Sequence, residues 1–136
     1  MRRIAAFALC FSASACVTAP PVADMQNMSP SDLCLLTQQP TLPGSAKAIE
    51  AAWRVVSERK LFSDNDLAKV AAHRLEVGMP YYAPQCAWGL PTRVNRTQTE
   101  YGMSVQLVYE TYLGAGVGRN FRFVYLRDGK VAAVQD

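Results

Sequence analysis

The chain has little of what metal binding or acid–base catalysis requires. It contains one histidine, His73, and charged residues make up only 18% of its 136 residues. Zinc sites take three or four ligands from cysteine, histidine and acidic side chains. The spacing of the four cysteines excludes a CxxC-type redox or zinc motif. We therefore expect no metal and no cofactor.

Candidate catalytic groups are also scarce. His73 lies next to Arg74 in a helical pattern with no matching acid or cysteine, so we interpret it as a hydrogen-bonded or solvated surface residue. Glu100 falls at a turn, and Glu110 on the polar face of a strand. The glycine-rich run 114–118 joins two strands and does not open a helix, as a nucleotide-binding loop would. We predict no catalysis and no small-molecule substrate.

The charge of the chain gives no sign of a nucleic-acid partner. The formal net charge of +3 falls by two, to +1, without Arg2 and Arg3, which belong to a segment that we expect to be removed. Nucleic-acid-binding domains carry a strong basic patch or stripe. We therefore predict that the protein binds no nucleic acid.

The N-terminus has the pattern of a secretory signal peptide over residues 1–15. Two arginines precede an apolar run at residues 4–11, and the small residues 12–15 stand directly before Cys16. The apolar run is too short to span a bilayer as a stable anchor. A cysteine directly after such a run indicates a bacterial lipoprotein, cleaved before Cys16 and acylated on its thiol.

The residue after the lipidated cysteine bears on the location. Val17 stands where an aspartate would retain the protein at the inner membrane, so we expect a lipid anchor on the periplasmic face of the outer membrane. The alternative is ordinary secretion, with cleavage near Ala15 or Ala19 and a soluble periplasmic or secreted product.

A tether and three helices are predicted next. Residues 16–28 contain two adjacent prolines and no periodicity, which indicates a flexible tether. Residues 29–76 predict a helical segment in which Ser29 and Ser63 each precede an acidic residue at the third helical position. The helices should run from Ser29 to Gln38 or Gln39, from Ser45 to about Lys60 and from Ser63 to about Leu75. The apolar stripe of the second comprises Ile49, Ala52, Trp53 and Val56.

Two cysteines remain for the folded part, Cys34 and Cys86, because Cys10 leaves with the signal peptide and Cys16 is lipidated. In a compartment that permits disulfides, a bridge between them would contribute about 2–4 kcal/mol. They could equally be two buried thiols that pack as small apolar side chains. The sequence leaves both alternatives open.

Residues 77–136 predict a small α+β domain. A short helix begins near Ala83 and ends at Trp88, because Gly89 suits a left-handed cap. Alternating patterns predict strands at 92–99, 103–112, 120–126 and 131–135, with a hairpin turn at Asp128 and Gly129. We predict N-terminal helices packed on a three- to four-stranded antiparallel β-meander.

Two further expectations concern the faces of this sheet. We expect the row of Phe121, Phe123 and Tyr125 on the third strand to face the core. For a binding surface we choose exposed residues of the first strand and of the glycine loop, represented by Arg93, Arg96 and Gly116.

Short motifs follow one another in a distinctive order after residue 77. They are a Gly-Met turn, a short helix closing with Trp-Gly-x-Pro, a strand with Asn-Arg-Thr-x-Thr, a glycine turn, Gln-x-Val-Tyr and a Tyr-Leu-x-x-Gly hairpin ending in Gln. The residues are Gly78, Met79, Trp88, Gly89, Pro91, Asn95, Arg96, Thr97, Thr99, Gly102, Gln106, Val108, Tyr109, Tyr125, Leu126, Gly129 and Gln135. This order resembles the BamE-like (SmpA/OmlA-type) superfamily of small outer-membrane lipoproteins.

The resemblance implies two short helices on a three- or four-stranded antiparallel sheet and non-catalytic work at the periplasmic face of the outer membrane. We therefore expect a lipid-anchored cell-envelope protein that acts by protein–protein binding, as a scaffold or accessory subunit. Its partners would be the membrane, through acylated Cys16, and another envelope protein. The alternative is a secreted inhibitor-like module that occupies an envelope enzyme or effector.

Replacement of Cys16 tests the anchor. Because each buried methylene contributes about 0.8 kcal/mol to membrane binding, an acylated chain should stay with the membrane fraction, whereas Cys16→Ser should move to the soluble periplasmic fraction. Cell fractionation followed by immunoblotting measures the distribution, with Cys10→Ser as the matched control. If the Cys16→Ser protein stays in the membrane fraction, the anchor is wrong.

Overall fold

The fold combines an N-terminal run of helices with a four-stranded antiparallel sheet. The computed structural model describes residues 19–39, 45–112, 114 and 118–136; the predicted signal peptide, Cys16 and Gly116 lie outside these residues. The helices are α1 (Val22–Met25), α2 (Pro30–Leu36), α3 (Ser45–Glu58), α4 (Asp64–Ala71) and α5 (Ala83–Trp88). The strands are β1 (Arg93–Thr99), β2 (Gly102–Tyr112), β3 (Arg119–Arg127) and β4 (Lys130–Gln135), in the order β1-β2-β3-β4. The predicted α+β fold is confirmed.

Two serines start helices as the sequence predicts. The backbone N–H of Asp32 donates to the Ser29 hydroxyl at 3.1 Å, and that of Asp66 donates to Ser63 at 3.1 Å. Each cap satisfies one of the N–H groups left unpaired at a helix start. Both α2 and α4 end earlier than predicted. After α4, His73 has a φ of 59°, which a right-handed helix cannot contain.

Part of the predicted tether is folded. Helix α1 falls within residues 16–28, and Met25 is only 1% exposed, so the prediction of a flexible tether is wrong for this part. Pro21 takes the N-cap position, where its missing N–H removes no helical hydrogen bond. The guanidinium of Arg59 donates to the carbonyl of Met28 at 2.7 Å, which ties the segment to the end of α3.

The buried side of α3 is rotated from the predicted stripe. Ile49 and Trp53, two of the four residues of that stripe, are only half-buried. Both α1 and α2 pack against α3, and Trp53 is only partly buried against the core. The buried residues of α3 are Ala51, Ala52, Val55 and Val56.

A disulfide between Cys34 and Cys86 joins α2 to α5 across 52 residues of sequence. Both cysteines are fully buried. Hydrogen bonds surround the bridge: the Gln38 side-chain amide donates to the carbonyl of Cys86 at 2.6 Å, and the Thr37 hydroxyl to that of Cys34 at 2.7 Å. Of the two alternatives that the sequence leaves open, the structure contains the bridge.

The sheet buries one face against the helices. On β3, Val124 is fully buried in the core, and Phe121, Phe123 and Tyr125 alternate with it on the opposite face. The prediction that this aromatic row faces the core is therefore wrong. Both rows of β3 contain apolar residues, because Val124 and Leu126 alternate with the three aromatic ones, so alternation alone could not choose between them. The core residues of the sheet are Leu107, Tyr109, Val124 and Val131.

The end of α5 connects the helices to the sheet. The indole N–H of Trp88 donates to the carbonyl of His73 at 2.9 Å, and its ring meets that of Tyr109 edge-on at 5.3 Å between centroids. The Tyr109 hydroxyl donates to the carbonyl of Gly89 at 3.2 Å. Gly89 ends α5 at the predicted position, but its φ of 78° and ψ of −148° differ from the predicted left-handed cap and are angles that glycine adopts without strain.

Removal of the disulfide should destabilise the fold without changing it. Because the bridge restricts the unfolded chain, the double variant Cys34→Ala/Cys86→Ala should lose about 2–4 kcal/mol of unfolding free energy. Urea denaturation followed by circular dichroism measures the loss. Reducing agent should lower the midpoint of the native protein and leave that of the double variant unchanged. Equal midpoints for both proteins under oxidising conditions would contradict the role of the bridge.

Candidate protein-binding surface

The sheet face that points away from the helices carries a row of apolar side chains. We call it the open face and define it by Val108 on β2 and by Phe121, Phe123 and Tyr125 on β3. Val108 lies opposite Phe123 in the β2–β3 register. It is only 5% exposed, although it does not belong to the core cluster between helices and sheet. Its burial therefore comes from neighbouring side chains on the open face itself.

The two phenylalanines form the apolar centre of the open face. Their rings stack at 6.3 Å between centroids with an angle of 14° between planes. Phe121 is 38% exposed, and Phe123 is half-buried. Exposed aromatic rings at the centre of a flat surface are the residue type most enriched where proteins bind one another.

Hydrogen bonds between side chains cross the open face from one edge of the sheet to the other. The amide of Asn95 donates to Gln106 at 2.9 Å, and the amide of Gln106 donates to the Tyr125 hydroxyl at 3.0 Å. The Tyr125 hydroxyl in turn donates to Gln135 at 3.2 Å. These bonds connect all four strands and fix the side chains beside the phenylalanines, so that a partner would meet a surface already ordered.

A charged cluster borders the phenylalanines at the other end. A guanidinium nitrogen of Arg119 lies 2.8 Å from Oε1 of Glu110, and the Glu110 side chain is only 8% exposed. The two groups form an ion pair, but they are not aligned as a hydrogen bond. The buried Glu110 oxygen can therefore still accept a hydrogen bond. The Arg119 guanidinium also lies over the Tyr112 ring, 5.4 Å from its centroid.

The predicted binding residues divide between the two faces. Arg93 lies opposite Val108 and therefore borders the open face, whereas Arg96, three residues on, points to the helix side. Gly116 lies outside the described residues. Sequence reasoning missed the phenylalanines as surface residues. The available signal was the second apolar row on β3, which a sheet covered on one side only must leave exposed.

A groove on the helix side, of about 380 Å³, offers less for recognition. His73 is a hydrogen-bonded surface residue, as interpreted from the sequence, with Nδ1 2.6 Å from the carbonyl oxygen of Ala87. The Arg122 guanidinium lies over the Trp88 ring and pairs with Asp136 at 3.4 Å. His73 and Arg122 already have partners within the fold, and the groove also reaches Glu110 of the charged cluster.

The hydroxyls of Tyr109 and Tyr82 stay neutral. Burial raises the pKa of Tyr109 well above its ordinary value. The pKa of Tyr82 is raised by burial and by the nearby Tyr81, and its hydroxyl donates to the carbonyl of Leu61. Both groups act as hydrogen-bond donors that hold the helices and the sheet in place.

The described part of the chain holds no group of three or more histidine, cysteine and acidic residues placed to bind a metal ion. No helix in the same ranges is long and apolar enough to cross a membrane. Comparisons with protein-family models, with curated proteins and with solved structures found no match.

Paired substitutions on β3 test which face is the core. Val124→Ala removes two buried methyl groups and should lose about 2 kcal/mol of unfolding free energy. Phe121→Thr keeps a strand-forming residue at an exposed position and should lose less than about 1 kcal/mol. Urea denaturation of both variants gives the comparison. A larger loss for Phe121→Thr than for Val124→Ala would reverse the assignment of the faces.

Proposed function

We propose that this chain is a lipid-anchored cell-envelope protein that binds another protein through its open face and performs no chemistry of its own. The observation that carries the proposal is the pair of stacked, accessible rings of Phe121 and Phe123 on the face without helices. An apolar centre with a hydrogen-bonded polar surround is the usual anatomy of a protein interface.

The shape of the open face favours a protein over a small ligand. Small-molecule sites are concave and enclose most of the ligand. The open face is the surface of a continuous sheet, and its charged cluster of Glu110 and Arg119 lies at one end of the apolar centre. A broad partner surface could contact the rings, the charged pair and the row of amides together.

The anchor and the fold are close together in the sequence. Cys16 precedes the start of α1 at Val22 by six residues, which span at most about 20 Å when fully extended. An acylated Cys16 would therefore hold the domain near the bilayer surface. The partner would then be a membrane-attached or membrane-embedded protein of the same envelope, in keeping with the resemblance to small outer-membrane lipoproteins.

The same open face suits the alternative function, an inhibitor-like module that occupies an envelope enzyme. An inhibitor needs a rigid surface prepared in advance, and the side-chain hydrogen bonds between Asn95, Gln106 and Tyr125 supply one. The identity of the captured protein separates the two functions. An assembly component supports a scaffold, and a hydrolase supports an inhibitor.

Photo-crosslinking in intact cells tests the open face as a binding surface. A benzophenone amino acid in place of Phe121 should form a specific adduct with one envelope protein, because the ring at this position would lie within the interface. The same amino acid in place of Glu50, which is exposed on α3, is the matched control. Adducts are detected by immunoblotting and identified by mass spectrometry.

A second variant checks the adduct. The crosslinking amino acid is placed at Arg119, beside Phe121, in proteins with and without Phe121→Ser. The substitution should reduce the yield of the same adduct by about tenfold, since loss of a central aromatic residue typically costs about 1–2 kcal/mol of binding. An adduct yield at Phe121 no greater than at Glu50 would overturn the proposal.

A further inference from the structure

The two edges of the sheet are not equivalent. The backbone of residues 78–81 covers the start of the outer edge of β4: Gly78 N–H donates to the carbonyl of Val131 at 2.8 Å, and Val131 N–H donates to the carbonyl of Met79 at 2.8 Å. Tyr81 N–H donates to Gly129 at 3.0 Å. By contrast, among the residues that the structure describes, β1 pairs only with β2, and all seven of its residues are exposed. The outer edge of β1 is therefore available for pairing.

An exposed strand edge can form backbone hydrogen bonds with a further strand. Its unpaired N–H and C=O groups act as a template, and proteins that do not use such an edge generally cover or shorten it. Within the described ranges, Lys130 and Val131 of β4 are covered in this way, whereas no backbone pairs with the outer edge of the seven-residue β1. On the helix side of the sheet, Val94 of β1 and Met103 of β2 are exposed at 38% and 54%. The corner of the sheet beyond the helices thus offers both backbone and apolar contacts.

The side chains of β1 favour a negatively charged strand as the binding partner. Arg93 and Arg96 are its only charged residues, and neither forms an ion pair with any residue in the described ranges. One borders the open face and the other points to the helix side, so a strand along β1 would pass both guanidinium groups. Acidic side chains opposite them would supply the missing partners.

The same charges act against pairing with a second copy of this chain. In the antiparallel register that pairs all seven residues of two β1 strands, Arg96 lies opposite Arg96 and Arg93 opposite Thr99. Like charges directly opposite each other destabilise a strand pair. The edge is therefore better matched to a different chain.

We infer that β1 is a docking edge for an extended acidic segment of the partner protein, with two acidic residues three positions apart that face Arg93 and Arg96. The inference rests on the proposed function, because it names the chemistry of the bound partner. The added strand would extend the sheet, and the body of the partner would lie on the open face beside it.

A synthetic peptide tests the edge without the natural partner. The sequence Thr-Val-Thr-Glu-Val-Thr-Glu places its two glutamates opposite Arg96 and Arg93 in the antiparallel register. Titration into the isotope-labelled protein, followed by nuclear magnetic resonance, should shift the β1 amides and slow their hydrogen exchange. A peptide with lysine in place of both glutamates should bind about tenfold more weakly, since two attractive cross-strand pairs become repulsive.

Reversal of the two charges on β1 should make the protein prefer the lysine peptide over the glutamate peptide. Arg93→Glu/Arg96→Glu should bind the lysine peptide about tenfold better than the glutamate peptide. The control Lys47→Glu/Lys130→Glu carries the same change in net charge on exposed residues outside β1 and should keep the native preference. The inference would be overturned if the two peptides bound equally, or if the peptide shifted amides elsewhere and left those of β1 unchanged.

The peptide test and the crosslinking test can fail separately. If Phe121 captures a partner but the glutamate peptide does not bind β1, the open face is a binding surface and the docking edge is wrong. If the peptide binds with the stated preference but Phe121 captures nothing, the docking edge stands and the open face is wrong.

Discussion

The attachment of α5 on two sides is the constraint on which the rest of this structure depends. A six-residue helix is too short to be stable alone. On one side the disulfide between Cys34 and Cys86 ties it to α2, and on the other Trp88 packs edge-on against Tyr109 of the sheet. The helix layer and the sheet are therefore held as one body, with all helices of the described ranges on the same face.

This one-sided arrangement leaves the other face of the sheet uncovered. The apolar residues there bury one another only in part: Val108 is protected by its neighbours, while Phe121 stays accessible. A partner that binds here would bury this apolar area, which would contribute favourable free energy to binding. The hydrogen bonds from Asn95 to Gln135 keep the surface ordered, so less conformational entropy would be lost on binding.

Local signals in the sequence were read correctly where the local chemistry decides the structure. Ser29 and Ser63 start helices because each hydroxyl accepts a hydrogen bond from the backbone N–H three residues later. Gly89 ends α5 because it adopts a positive φ. The candidate site was predicted less well. Arg93 borders the open face, Arg96 does not, and the phenylalanines that dominate the surface were assigned to the core.

Each of these errors has a non-local cause. Apolar residues occur in both rows of β3, and which row is buried depends on the face to which the disulfide and Trp88 bring the helices. Likewise, the segment around Met25 has no periodicity of its own and is helical because it packs on α3. The same holds for α3, whose buried side depends on the elements packed against it.

By itself, the sequence determined the fold class, the helix caps, the ends of α5 and the alternation of the strands, because these depend on residues within a few positions of one another. Only the tertiary structure decided that Cys34 and Cys86 meet, which face of the sheet is open and which edge is free. These depend on contacts between residues tens of positions apart, and their energies come from packing that no local pattern contains.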